Sequence, residues 1–310
     1  MRWIKTGLVF TPDAGRDWMR SHAQVPLADR VSDDVLRVYF GTRDAENRTV
    51  TAYVEVAADD PRRVLRVCDE PALGLGRLGC FDDRGALPSW IVNRDGEKLL
   101  YYVGWNVGVT VPFRNSIGLA ASRDGGRSFT RLYDGPVVER IHTEPHFCAT
   151  SCVLVEGALW RMWYLSCTGW ETVGGQPEPR YHIKYAESAD GVVWDRRGVV
   201  AVELKSAEEG GLARPCVVKT GELYRMWYSY RGLRDYRTDR AQSYRIGYAE
   251  SADGVSWTRM DEQAGIDVAD AGWDSEMVTY AFVYEHGGRL HMLYNGNGFG
   301  ASGIGHAVAE

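Results

Sequence analysis

Several things are missing from this 310-residue sequence, and each absence removes a class of function. No apolar run approaches the ~20 residues needed to cross a bilayer, and Met1-Arg-Trp-Ile-Lys-Thr-Gly-Leu-Val-Phe10 lacks the apolar core of a secretory leader. The expectation is a cytoplasmic protein with no membrane partner. Basic excess is missing too: 36 Lys and Arg face 42 Asp and Glu, for a formal charge of -6. Phosphate backbones are held by clustered cations, so a nucleic-acid partner is disfavoured. The six cysteines (68, 80, 148, 152, 167 and 216) contain no CxxC pair, which argues for free thiols over a zinc site or a disulfide framework.

What is present is glycine, at 35 residues, 12% aromatics, and short alternating segments punctuated by turn signals, the marks of an all-β chain. Those segments repeat. Leu36-Arg-Val-Tyr-Phe40, Lys98-Leu-Leu-Tyr-Tyr102, Trp160-Arg-Met-Trp-Tyr164, Tyr224-Arg-Met-Trp-Tyr228 and Leu290-His-Met-Leu-Tyr294 end on aromatics spaced by 62, 62, 64 and 66 residues. Between them recurs a hairpin with an Asp-Gly turn: Ile117 to Phe129, Ile183 to Trp194 and Ile246 to Trp257. A repeat near 60 residues with four strands is the size of one propeller blade, too long for a solenoid rung.

The fold expected is therefore all-β, a five-bladed β-propeller with four-stranded blades, forming a single domain over residues 1–310. The inner strands fall near 24–40, 86–102, 148–164, 212–228 and 278–294. Gly303-Ile-Gly-His-Ala-Val-Ala-Glu310 matches the third strand of a repeat, so the last blade lacks a fourth. Trp3-Ile-Lys-Thr-Gly-Leu-Val-Phe10 resembles it, with Trp3 where Trp194 and Trp257 fall, and is expected to close the ring.

At the blade entrances the repeat places Arg20, Asp82, Glu144, Glu208 and Asp274, four carboxylates in five equivalent positions. Acids converging on one channel mouth would supply the acid and base that glycosidic cleavage requires; acids at strand entrances equally serve as hydrogen-bond acceptors for neighbouring loops. In His142-Thr-Glu-Pro-His146 an extended chain puts both histidines and Glu144 on one face, better suited to sugar hydroxyls than to a metal. Ser21-His22-Ala-Gln24 is a second polar pair. Trp273, beside Asp274 and Glu276, offers an aromatic face for a sugar ring, or simply packs. Arg214 and Tyr280 share one repeat position just inside the channel, where a guanidinium needs a carboxylate or an anionic ligand. Arg231 to Arg240 forms a basic loop in an acidic protein.

The blade count, the Ser-x-Asp-Gly-x-x-Trp hairpins and the Met-Trp-Tyr strand ends resemble the five-bladed glycoside hydrolases of families 43, 32, 68 and 130 over essentially the whole chain. The likeness is closest to family-43-like and family-32-like glycosidases of bacterial polysaccharide gene clusters, in Ser21-His-Ala-Gln-Val-Pro26, Phe81-Asp82, Pro88-Ser89, Glu144-Pro145, Arg214-Pro215, Gly272-Trp-Asp-Ser275 and Tyr294-Asn-Gly-Asn-Gly-Phe-Gly300. The resemblance implies a glycoside hydrolase acting on a small glycan or sugar conjugate, anionic as one option, without metal or cofactor.

The family-43 triad is out of register, because Gln24-Val-Pro26, Leu87-Pro-Ser89 and Ala213-Arg-Pro215 stand where its acids stand. The catalytic expectation therefore moves to Asp82, Glu144 and Asp274, with Glu144 as proton donor. His22, Gln24, His146, Arg214, Trp273, Glu276 and Tyr280 would bind substrate. Two alternatives stay open: an inverting phosphorylase or transferase, and a carbohydrate-binding propeller without catalysis. Carboxylates gathered around one cavity would favour hydrolysis; carboxylates held apart at blade interfaces would favour binding.

Overall fold

The computed structural model describes residues 1–310 and is nearly all β, with only a 3-10 turn at Asp261–Gln263 and a single helical turn at Asn297–Gly300. After β1 (Trp3–Phe10), the strands β2 (Ser21–Arg30), β3 (Val35–Arg43), β4 (Thr49–Ala57) and β5 (Val64–Val67) pair in sequence as a four-stranded antiparallel meander. The second meander is β6 (Gly85–Arg94), β7 (Glu97–Val107), β8 (Phe113–Ser122) and β9 (Thr130–Arg131). The third is β10 (Cys148–Glu156), β11 (Leu159–Val173), β12 (Gln176–Ser188) and β13 (Val200–Val202). The fourth is β14 (Glu209–Thr220), β15 (Leu223–Gly232), β16 (Arg245–Ser251) and β17 (Thr258–Arg259). The last contains β18 (Thr279–His286), β19 (Arg289–Asn295) and β20 (Ile304–Ala309), and β1 pairs with β20 as its outer strand, with Trp3 opposite Ala309. Each inner-strand range expected from the sequence spans the first two strands of a meander.

The first strands β2, β6, β10, β14 and β18 pack against one another in order, and β18 packs against β2, so the meanders form a closed propeller-type ring. Two adjacent residues within each second strand explain how the ring is joined. Side chains alternate across a strand, so one of the pair faces the next meander and the other turns back into its own. Tyr39 donates from its hydroxyl to the Gly126 carbonyl, Tyr101 to that of Gly191 (2.7 Å), and Trp163 from its indole N–H to that of Gly254 (2.9 Å). The aromatic beyond each of those turns then packs against the same donor: Phe129 on Tyr39, Trp194 on Tyr101 and Trp257 on Trp163. Trp3 completes the series edge-on to Trp227, with ring centroids 5.9 Å apart. Trp163 and Trp227 are essentially buried, each contributing about 3 kcal/mol of hydrophobic stabilisation at this scale.

The Ser-x-Asp-Gly turns are built for this role. Ser122, Ser188 and Ser251 each donate to the Asp two residues on and accept a glycine amide from the turn. Asp253 accepts the Val255 and Ser256 amides, and these hold its carboxyl down at about 2. These aspartates are structural.

Every first strand also carries a register shift at one equivalent place: between Gln24 and Leu27, Pro88 and Trp90, Ala149 and Ser151, Ala213 and Cys216, and Thr279 and Phe282. Val25, Arg214 and Tyr280 sit there with φ of 54°, 54° and 55°, a strained left-handed backbone for non-glycine residues. Side chains of the preceding meander hold four of these bulges: Asn295 takes the Val25 amide, Ser89 that of Ser151, Thr150 that of Arg214, and Ser229 that of Tyr280. Bulges re-aim side chains, and these ring one end of the channel.

Candidate functional site

The three expected catalytic acids occupy equivalent places, each in its own meander. Asp82 accepts the Tyr102 hydroxyl at 3.0 Å and the Arg131 Nε at 2.6 Å. Glu144 accepts the Tyr164 hydroxyl at 2.9 Å and the Ser166 hydroxyl at 3.1 Å, with Lys184 and Arg196 each at 3.5 Å. Asp274 accepts the Tyr294 hydroxyl at 2.9 Å and the Lys5 ammonium at 2.7 Å. In each case the tyrosine is the second of the two adjacent second-strand residues, and burial first, then the carboxylate's charge, pushes its hydroxyl pKa up, keeping it a donor. All three acids are buried.

The fourth meander makes the same clasp with a different acid: Tyr228 donates to Asp261, which also pairs with Arg259 and Lys205, while Glu208 is exposed. The first meander has neither part, having Arg20 at the acid position and Phe40 at the hydroxyl position. A tyrosine–carboxylate–cation clasp repeated around the ring thus accounts for three of the four acids in that register, and Glu208 stands outside it.

A cavity of about 450 Å³ opens at the bulged end of the channel, and no carboxylate lines it. Every first strand contributes, through Gln24 and Val25, Leu87, Ala149 and Thr150, Ala213, and Tyr280. Trp105, Phe113, Phe147, Tyr181, Tyr236 and Tyr244 form aromatic walls, and Tyr181 and Tyr244 share a hydrogen bond between hydroxyls. Gly211 permits the Tyr181 wall to lie flat, since a Cβ there would stand 2.1 Å from the ring. Arg43 and Arg237 bring positive charge. Arg237 and the Tyr236 hydroxyl both engage Glu178, the carboxylate that stands behind this wall.

Of the ten expected site residues, Gln24 and Tyr280 line the cavity; the others lie outside it. Arg214 is fully enclosed, donating from Nη1 to the Ala281 carbonyl (2.7 Å) and from Nη2 to the Pro26 carbonyl (2.6 Å), so it ties the fourth meander to the fifth and first. Trp273 stacks on Tyr294 at 5.4 Å. His22, half-buried, shares a hydrogen bond with Ser21 Oγ, and burial first, then Arg43, hold its imidazole down at about 4. His146 is half-buried and Glu276 exposed, neither on the cavity wall. Residues missed from the sequence include Arg43, Trp105 and Tyr181; the basic loop noted at 231–240 supplies Tyr236 and Arg237.

Two proteins of Mycobacterium tuberculosis match the whole chain over their whole length: the uncharacterized protein MT1551 of strain CDC 1551 / Oshkosh at 39% identity and the uncharacterized protein Rv1502 of strain ATCC 25618 / H37Rv at 38%. The chain belongs to their family. No family profile matches it. Among solved structures, this family's fold is similar to that of BT0996 in its RGII complex (TM-score 0.76, 19% identity, 99% of this protein and 91% of that one). It is similar also to a thermostable family-43 glycoside hydrolase (TM-score 0.66, 15% identity, 96% and 90%) and to an endo-arabinase of Bacteroides thetaiotaomicron VPI-5482 (TM-score 0.62, 16% identity, 97% and 95%). The likeness to these solved structures is one of fold.

Proposed function

We propose that this protein is a carbohydrate-handling five-bladed propeller, one domain over residues 1–310 with each meander a blade, that takes a glycan or sugar conjugate into the cavity at the bulged end of its channel. One observation carries the reading: the cavity combines flat aromatic walls with amide, hydroxyl and guanidinium groups and has no carboxylate on its surface. Aromatic faces accept the apolar side of a sugar ring while the polar groups meet its hydroxyls. Paired-carboxylate cleavage needs two carboxyl groups about 5–9.5 Å apart across the scissile bond, and Asp82, Glu144 and Asp274 are each committed to a tyrosine and a cation. Binding without cleavage is therefore the function this geometry supports best.

Hydrolysis is the second reading, favoured by the glycoside hydrolases among the structural neighbours. It would require one of the three clasped acids to leave its partners on substrate binding, or Glu178 to act through the wall that Tyr236 and Arg237 form. Calorimetric titration with a panel of furanosides and pyranosides, followed by product analysis of the same mixtures, separates the readings. Saturable binding with the sugar recovered intact is the expected result. Released sugar in buffer establishes the glycosidase, and release that depends on inorganic phosphate a phosphorylase.

A further inference from the structure

Arg43, half-buried, differs from the other arginines enclosed in the ring. Arg37 pairs with Glu55, Arg131 with Asp82, Arg161 with Glu156 and Arg259 with Glu209. Arg214 and Arg231 are capped by backbone carbonyls. Arg43 ends β3 on the cavity wall, and its single hydrogen bond runs from Nε to the Gln24 side-chain oxygen at 3.2 Å. Both terminal nitrogens of its fork are left without a protein acceptor. Burial lowers its pKa, and Tyr280 is the one group acting the other way. The second arginine of the wall, Arg237, is already neutralised by Glu178.

A guanidinium half out of water with no counter-ion loses part of its hydration, and an oxyanion that reaches it supplies the missing charge and acceptors. Its two free N–H edges match two oxygens of one oxyanion. Gln24, held by the Nε contact, fixes the plane of the fork, and the aromatic walls bound the space in front of it.

From this we infer that the cavity selects a sugar bearing an oxyanion, a ring carboxylate or a phosphate, which the Arg43 fork holds in a two-point contact. The inference rests on the glycan-binding reading and gives it a substrate class.

The test is calorimetric titration of the whole protein, wild type and Arg43→Gln, at low and moderate salt, with galacturonate against galactose, glucose 1-phosphate against glucose, and inorganic phosphate alone. Wild type is expected to prefer one anionic sugar over its neutral counterpart by about tenfold or more, and the preferred pair identifies carboxylate or phosphate. Arg43→Gln should erase that preference, lowering affinity for the anionic sugar far more than for its neutral counterpart, while melting temperature stays close to wild type; Arg43→Lys, which keeps the charge and loses the fork, should recover part of the preference. Equal affinity for charged and neutral sugars, or a preference that survives Arg43→Gln, overturns the inference and leaves the glycan-binding reading standing. Arg43-dependent binding of inorganic phosphate with no binding of any sugar keeps the anion site and overturns glycan recognition.

Discussion

Asp82, Glu144 and Asp274 act on stability through their tyrosines. Replacing Asp82 by Asn leaves Arg131 without its counter-charge and should cost about 3 kcal/mol, while Tyr102→Phe, which removes one donor, should cost about 1 kcal/mol. Urea unfolding measures both, and sugar affinity should be unchanged in each variant; lost binding with intact stability would return Asp82 to the ligand. The clasp had a visible signature. Each of these acids lies 20 residues before the tyrosine that holds it. Where the acid is Arg20, the tyrosine is Phe40, so the two features disappear together. Gln24 and Tyr280 were legible because the first strands keep a common register. Arg43 and Trp105 share a repeat position, three residues beyond Phe40 and Tyr102, but arginine, tryptophan, cysteine, arginine and asparagine occupy it in turn, and with Tyr181 on a third strand no shared chemistry marked these three.

Between elements, the joint is a second-strand aromatic seated on a glycine turn. Gly191 has φ of 75°, and a Cβ there would stand 2.7 Å from the Tyr101 hydroxyl. Gly191→Ala should therefore cost on the order of 2 kcal/mol or more, against about 1 kcal/mol for Gly198→Ala, where φ is 80° and nothing stands within 4 Å. Equal losses at the two sites by thermal unfolding would remove the joint from the account.

The closing strand carries a pH dependence. His306 on β20 hydrogen-bonds Thr6 of β1 at 2.8 Å and His291 of β19 at 3.0 Å. Burial first, then His291, with Arg62 adding and Asp60 opposing, hold its imidazole down at about 4 against 6.5 when free. The folded state then binds fewer protons than the unfolded chain between those values. Its contribution is complete above pH 6.5, falls as pH drops toward 4, and amounts to about 3 kcal/mol at most. Unfolding free energies at pH 7.5, 5.5 and 4.5 should show this loss, and His306→Asn should flatten that part of the curve; an unchanged slope contradicts it.

At the scale of the whole molecule, the ring closes through a strand far away in sequence, and closure was readable because Trp3 falls where Trp194 and Trp257 fall. Deleting residues 1–10 strips the outer strand from β20 and the partner from Trp227, and should turn one cooperative unfolding transition into a broad one. The site was harder to read than the ring. The repeat dictates where strands begin and bulge, whereas the cavity is built from what the five meanders do differently there: Gln24, Leu87, Ala149 and Ala213 opposite equivalent second-strand residues, with Thr150 and Tyr280 one residue further on. A register of acids common to several meanders belongs to the repeat, and the ligand belongs to the channel end where the meanders carry different side chains.

The measurement that tests this most directly is a crystal structure of the protein soaked with the tightest-binding sugar of the panel. The account predicts density for the intact sugar in the bulged-end cavity, against Trp105 or Tyr181 and within reach of Gln24 and Arg43, with Asp82, Glu144 and Asp274 still held by Tyr102, Tyr164 and Tyr294. Sugar bound in contact with any of those three carboxylates, with its tyrosine contact broken, would contradict it.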